Sequence, residues 1–435
     1  MDTRPNILFL FGDQHLYDCL GCAGNELIET PHLDALAARG IRFDAAYSNA
    51  PVCTPYRATL FSGRYGSQIG ALDNHAALPT DRPRLAESLQ EAGYRTSYVG
   101  KWHLGGTGQA PIPVELQGGF QDFIGYQCYN DFLHNVVFHD RDGMPRRFQK
   151  HRTEATADLA IERLQGLAAG ADPFALFVSW QNPHYPLEPN PAWAARYAGL
   201  AIPPRPNQQS GMDLFTPTWS PRSARPVEHD PNYQRYGGDM LRYQQLYYAM
   251  VSQLDEQVGR VLAWLRILGL EENTIVVFTA DHGDCQGAHG ACNKNLWWEE
   301  SARVPQLMQV PGGTGGQVIG TPVANVDFYP TFCDYAGLAT PDHCVGSSLR
   351  PLIEGTGPGP TVVFSEMRHW CMLREAGWKL VYDRERERCS HLFDLTEDPW
   401  EQRDLIDDPS HSTRRADLAR RLGDWDRSVR ASAPA

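Results

Sequence analysis

Continuous apolar runs at 7–11, 174–180 and 274–280, with a shorter one at 95–99, read as strands buried on both faces. Helical stripes lie between them. Leu33 and Leu36 mark a helix opened by Thr30-Pro31 and stopped by Gly40, and Leu85, Leu89 and Ala92 one closed by Gly93. Ala157, Ala160, Ile161, Leu164 and Ala168 form a third stripe, and Leu246 to Leu265 a long fourth one ending near Gly269. Strands alternating with helices predict a large, mostly parallel central sheet flanked by helices, an α/β fold. After Gly346 the pattern changes to short strand-like pieces at 362–366, 370–374, 379–382 and 391–394, then a polar helix from about 414 to 429. That predicts a smaller C-terminal subdomain, residues 346–435, with an antiparallel sheet and a helix, after a large domain of residues 1–345. Residues 105–151 read as loop-rich and 202–232 as a long surface excursion, and both are expected to shape a pocket.

Composition narrows the function classes. A net charge of −13 over 435 residues argues against nucleic-acid or acidic-membrane partners, while leaving room for an anionic ligand at a locally cationic site. The apolar runs are too short to span a bilayer, and 7–11 is too short for a signal-peptide core. A cytoplasmic protein in which most of the ten cysteines are reduced thiols is therefore expected. Cys19-x-x-Cys22 lacks the second pair that a zinc site needs, so it reads as structural thiols.

The candidate chemistry follows the strands. In open α/β sheets, ligands bind beyond the carboxyl ends of the strands. Those ends carry Asp13-Gln14-His15, Lys101-Trp102-His103, His184 between Pro183 and Pro186, and Asp281-His282-Gly283-Asp284, with Lys294 and Glu299-Glu300 further on. An Asp after a strand can simply cap a turn, yet Asp-Gln also suits a hard cation. Cys53 stands where a loop enters a helix, with Pro55 two and Arg57 four positions on. Amide groups and a positive dipole end face that position, and Arg57 lies one turn away. Trp102, Tyr185, Trp297 and Trp298 are candidates to stack on a substrate ring, and Asn74 and His75 to touch substrate.

Taken together, Cys53-x-Pro55-x-Arg57, Lys101-x-His103, His184 before a proline, Asp281-His282-Gly283, Lys294, Glu299-Glu300 and Arg303-Val304-Pro305 resemble the formylglycine-dependent sulfatases of the alkaline-phosphatase-like superfamily. Leu392 to Glu401 resembles that family's C-terminal signature. The resemblance implies that a maturation enzyme oxidises Cys53 to formylglycine, whose hydrate attacks sulfur in a sulfate ester and releases an alcohol, then inorganic sulfate. It implies metal ligands at Asp13, Gln14, Asp281, His282 and residue 53, with calcium expected and manganese or zinc as alternatives. It assigns sulfate binding and leaving-group protonation to His184 or Lys294, proton removal to His103, and orientation of the hydroxyls to Lys101 and Arg57. The expected substrate is a small-molecule or saccharide sulfate ester. Three positions depart from the common pattern: Gln14 for Asp, His282 for Asn, and Tyr56 for Ser or Ala, the last a candidate for the pocket wall. The first two also occur in related phosphonate monoester hydrolases and phosphodiesterases, which form the rival reading. A third reading is a catalytically silent binding protein with Cys53 unconverted.

Overall fold

The computed structural model describes residues 4–106, 108–208, 225–226 and 230–433. Ten strands form the central sheet: β1 (Asn6–Asp13), β2 (Ile41–Phe43), β3 (Arg95–Lys101), β4 (Asp122–Tyr126), β5 (Val136–Asp140), β6 (Pro145–Phe148), β7 (Phe174–Pro183), β8 (Thr274–Ala280), β9 (Gln306–Gln309) and β10 (Gln317–Ile319). Their order is β10-β2-β9-β8-β1-β7-β3-β4-β5-β6. The five central strands β8-β1-β7-β3-β4 run parallel, and antiparallel strands extend the sheet on both sides. The stretch read as loop-rich therefore contributes three strands, β4 to β6, to one edge. Its polar, Pro- and Gly-rich connections hid them from a reading based on apolar runs.

Side chains alternate across the sheet, and both faces are covered. Ile7, Phe9 and Phe11 enter one core with α2 (Cys53–Ser62), α3 (Leu85–Glu91) and α6 (Phe328–Tyr335). Leu8 and Leu10 enter another with α1 (Pro31–Arg39), α4 (Arg152–Ala168) and α5 (Met240–Ile267). Coverage on both sides is why β1 is apolar without interruption. Phe9 makes edge contacts with Phe328 and Phe332, at centroid distances of 4.9 and 5.9 Å, which fix α6 over the strand.

The C-terminal strands β11 (Val363–Glu366), β12 (Trp370–Glu375), β13 (Trp378–Asp383) and β14 (Arg388–Asp394) form an antiparallel meander, closed by α7 (Ser412–Ala431). Leu392, Leu418 and Trp425 from this unit share a core with Trp297 and Trp298. Trp298 lies flat on His289, and Trp297 meets Trp370 edge-on at 5.9 Å. Neither tryptophan lines the cleft described below. Among the described residues no helix is long and apolar enough to cross a membrane.

Candidate active site and metal centre

Parallel strands leave the sheet in one direction, so residues distant in sequence meet at its carboxyl edge. Asp13 ends β1 and Lys101 ends β3, while His184 follows β7 and Asp281-His282 follow β8. Gly100, at φ +108°, is needed there because a Cβ would sit 2.0 Å from the Ser179 carbonyl oxygen. The chain can thus pass close to β7 before presenting Lys101. Gln14, His103 and Asn293 adopt left-handed φ values of 65°, 56° and 72°, backbone strain that the surrounding packing must sustain.

Cys53 opens α2, whose residues are all buried. Its sulfur lies 3.3 Å from His282 Nε2, 3.3 Å from Lys294 Nζ, 3.6 Å from Asp13 Oδ1 and 3.8 Å from Lys101 Nζ. Ligand atoms of Asp13, Cys53, Asp281 and His282 all lie within 4.8 Å of one another. The His282 Nδ1 pairs with the Gly283 carbonyl at 2.9 Å, leaving Nε2 to face both carboxylates. Gln14 offers Oε1, which accepts from Lys294 Nζ at 3.1 Å, while its backbone N–H donates to Asp281 Oδ1. Two carboxylates, a carboxamide oxygen and an imidazole nitrogen form a donor set that fits a hard or borderline divalent ion.

Arg57 is wholly buried one turn into α2, where it donates to Asp281 Oδ2 at 3.0 Å, Asp13 Oδ2 at 3.4 Å, the Lys101 carbonyl at 2.6 Å and Ser179 Oγ at 2.8 Å. Lys101 Nζ pairs with Asp13. These cations decide the protonation states. Burial works to raise the Asp13 carboxyl, but the ammonium groups of Lys101 and Lys294 hold it well below the ordinary range. Burial and the neighbouring Asp13 charge push Asp281 up to about 6. Burial and Asp13 also work to raise the Cys53 thiol, yet Lys101 and Lys294 bring it well below its usual value. Burial lowers His103, and burial with Lys294 lowers His184, so both imidazoles are neutral in the free site.

A cleft of about 460 Å³ opens above this floor. Cys53, His103, His184 and Lys294 line its base, and Asn74 its rim. Asn74 also accepts the Thr54 backbone N–H at 3.1 Å. His75 is exposed and does not line the cleft; its backbone N–H donates to Asp73 Oδ1 at 2.9 Å. Tyr56 does not line the pocket either: it is fully buried in the apolar core beneath the sheet edge, and burial raises its phenol. Trp102 is likewise core, packed edge-on against Tyr98 at 4.8 Å. Of the four aromatic candidates, Tyr185 reaches the cleft. Sequence reasoning missed Cys128, Tyr129 and Asn130 after β4, and Asp230, Asn232 and Asn293. For all but Asn293, which directly precedes Lys294, the one prior signal was position within the two stretches expected to build a pocket; residues 209–224 and 227–229 of the second lie outside the described residues.

Residues 5–338 match the family model described as Sulfatase, and residues 287–428 the one described as N-sulphoglucosamine sulphohydrolase, C-terminal. This chain belongs to the sulfatase family. The sulfatase is 30% identical to the ulvan-active sulfatase of Formosa agariphila, over 97% of this chain and 80% of that one. Its fold matches a solved structure in complex with its substrate D-glucosamine-2-N,6-O-disulfate, with a TM-score of 0.87 and 24% identity, covering 98% of both chains. It also matches a phosphonate monoester hydrolase from Silicibacter pomeroyi, with a TM-score of 0.77 and 24% identity, over 98% of this chain and 95% of that one. The chain is a sulfuric ester hydrolase. Membership implies a divalent metal and a formylglycine derived from cysteine, which the buried Asp13, Cys53, Asp281 and His282 cluster fits.

Proposed function

We propose that this sulfatase hydrolyses a saccharide sulfate ester, with residue 53 as the nucleophile. One observation carries the reading: the Cys53 sulfur sits at the cleft floor, within 3.3–3.8 Å of His282, Lys294, Asp13 and Lys101. That sulfur stands in for the formylglycine oxygens, the conversion requiring a maturation enzyme as a partner. Bound by Asp13, Gln14, Asp281 and His282, a divalent ion (calcium in our reading, with the His282 nitrogen also suiting manganese or zinc) supplies charge neutralisation, and formylglycine supplies a hydroxyl.

The chain's own residues do the rest. Lys294 stays cationic, because Cys53 and Asp13 outweigh its burial, and can hold sulfuryl oxygens. His184 shares its Nδ1 with the Tyr185 carbonyl at 2.6 Å, leaving Nε2 for the substrate. Arrival of a sulfate anion favours its protonated form, which suits it to protonate the leaving oxygen. His103, neutral and on the opposite loop, takes the proton of the second hydroxyl and releases sulfate. Arg57 and Lys101 offset the carboxylates and orient residue 53.

A saccharide substrate is supported by the sugar bound to the structural relative and by the carboxamide-rich cleft wall. Gln14 and His282 favour a second reading, phosphonate monoester or phosphodiester hydrolysis on the same scaffold, shared in fold by the phosphonate hydrolase. Measuring kcat/KM on matched aryl sulfate and phenyl phosphonate decides between them, with the sulfate expected to win. Peptide mass spectrometry across Cys53 is expected to find the aldehyde. Thiol alone, with activity surviving in Cys53→Ala, would overturn the mechanism.

A further inference from the structure

The cleft contains a feature that sulfate-ester cleavage does not use. Its floor is cationic, and its walls carry the carboxamides of Asn74, Asn130, Asn232 and Asn293 with the rings of Tyr129 and Tyr185. Among the described residues lining it, Asp230 provides the one carboxylate. That side chain belongs to a residue only 3% exposed. Its Oδ1 accepts the backbone N–H groups of Asn232 at 2.8 Å and Tyr233 at 3.0 Å, which caps the short helix Pro231–Gln234. Oδ2 has no hydrogen-bond partner among the described residues. The cap thus fixes the carboxylate in place and, among the described residues, leaves one oxygen for something in the cleft.

An anionic ester gains nothing from a carboxylate wall unless it presents a hydrogen-bond donor to it. A buried carboxylate left unpaired by the ligand is costly, and a second anion beside it is repelled. We propose that Asp230 is a specificity-determining residue: Oδ2 accepts from a hydroxyl or ammonium group of the sugar that carries the ester, and its charge rejects sugars with another anion at that place. The inference rests on the sulfatase reading above and narrows the substrate to neutral or amino sugars bearing a single sulfate. An aryl sulfate has no donor to offer Oδ2, so its hydrolysis depends less on this residue.

Two variants test this without removing the helix cap, because both Asn and Ser accept at that position. Asp230→Asn and Asp230→Ser are compared with wild type on D-glucosamine-6-O-sulfate, on the D-glucosamine-2-N,6-O-disulfate found in the structural relative, and on p-nitrophenyl sulfate. The monosulfated sugar should lose about 10- to 100-fold more kcat/KM than the aryl sulfate. The disulfated sugar should gain on the monosulfated one in Asp230→Asn. Equal losses on the sugar and the aryl ester, in variants with wild-type melting temperature, overturn the role of Asp230 while leaving the sulfatase reading intact. Wild-type protein with converted residue 53 and no turnover of any sulfate overturns both.

Discussion

Lys379 is the residue whose removal tests how the C-terminal sheet is joined to the catalytic half. It lies on β13 with its side chain fully buried, 2.6 Å from Glu299 and 2.7 Å from Glu401, and it donates to the Trp297 carbonyl at 2.9 Å. Glu401 also accepts the Glu299 backbone N–H at 2.8 Å, so one ammonium holds together two carboxylates from different parts of the chain. Lys379→Met keeps the volume and deletes the charge. Breaking a buried ion pair from one side costs about 3–5 kcal/mol. Two observations put this case near the lower end. Burial already pushes Glu401 up to about 8, so it holds its proton at neutral pH, and Glu299 keeps Arg303 at 3.9 Å. We expect a loss of about 3 kcal/mol, or roughly 3–6 °C in melting temperature. The pH dependence has a definite sign. Burial works to raise Glu299, but Lys379 and Arg303 hold it below its ordinary value. Without Lys379 the Glu299 carboxyl rises in the folded state, and a raised acid favours folding at low pH and loses that contribution as pH climbs. The deficit should therefore grow between about pH 5 and about pH 8. Adding Glu401→Gln should recover part of it. Calorimetric melts at both pH values decide; a deficit that is absent, or larger at the acidic end, refutes the reasoning.

Two further outcomes are expected. Asp284 accepts the Tyr243 hydroxyl at 2.6 Å and the Asn293 backbone N–H at 3.0 Å, which ties the turn after Asp281-His282 to the residue before Lys294, whose Nζ donates to Gln14 Oε1 at 3.1 Å. Asp284→Leu should weaken divalent-ion affinity by about 10–100-fold in calorimetric titration of metal-free protein, and an unchanged affinity would contradict this positioning role. Asp255, buried on α5, accepts the N–H groups of Leu33 at 2.7 Å and His32 at 3.2 Å, and burial pushes its carboxyl from 3.8 up to about 7. A carboxyl raised on folding stabilises the protonated fold and loses this as pH rises from about 4 to about 7, at a cost of about 4 kcal/mol. Asp255→Asn should therefore narrow the difference in stability between those pH values; an unaltered pH profile would refute it.

The apolar runs at 7–11, 174–180 and 274–280 became β1, β7 and β8 because a strand buried on both faces leaves an uninterrupted signal in its own residues. The candidates Asp13, Lys101, His103, His184, Asp281, His282 and Lys294 meet Cys53 because parallel strands put their carboxyl ends on one edge, a rule that needs the order of elements alone. Local pattern also set the four C-terminal strands and the last helix. Other features depend on partners far along the chain, which no local window contains. Tyr56 and Trp102 are core because of what the sheet and α6 bring against them, not because of their neighbours in sequence. Trp297 and Trp298 serve the joint with the C-terminal sheet. Strands β4 to β6 have weak patterns of their own and are held by pairing onto β3. Asp230 and Lys379 acquire their significance the same way: a carboxylate becomes a specificity element, or an ammonium a joint, only when packing removes water and fixes which groups face it.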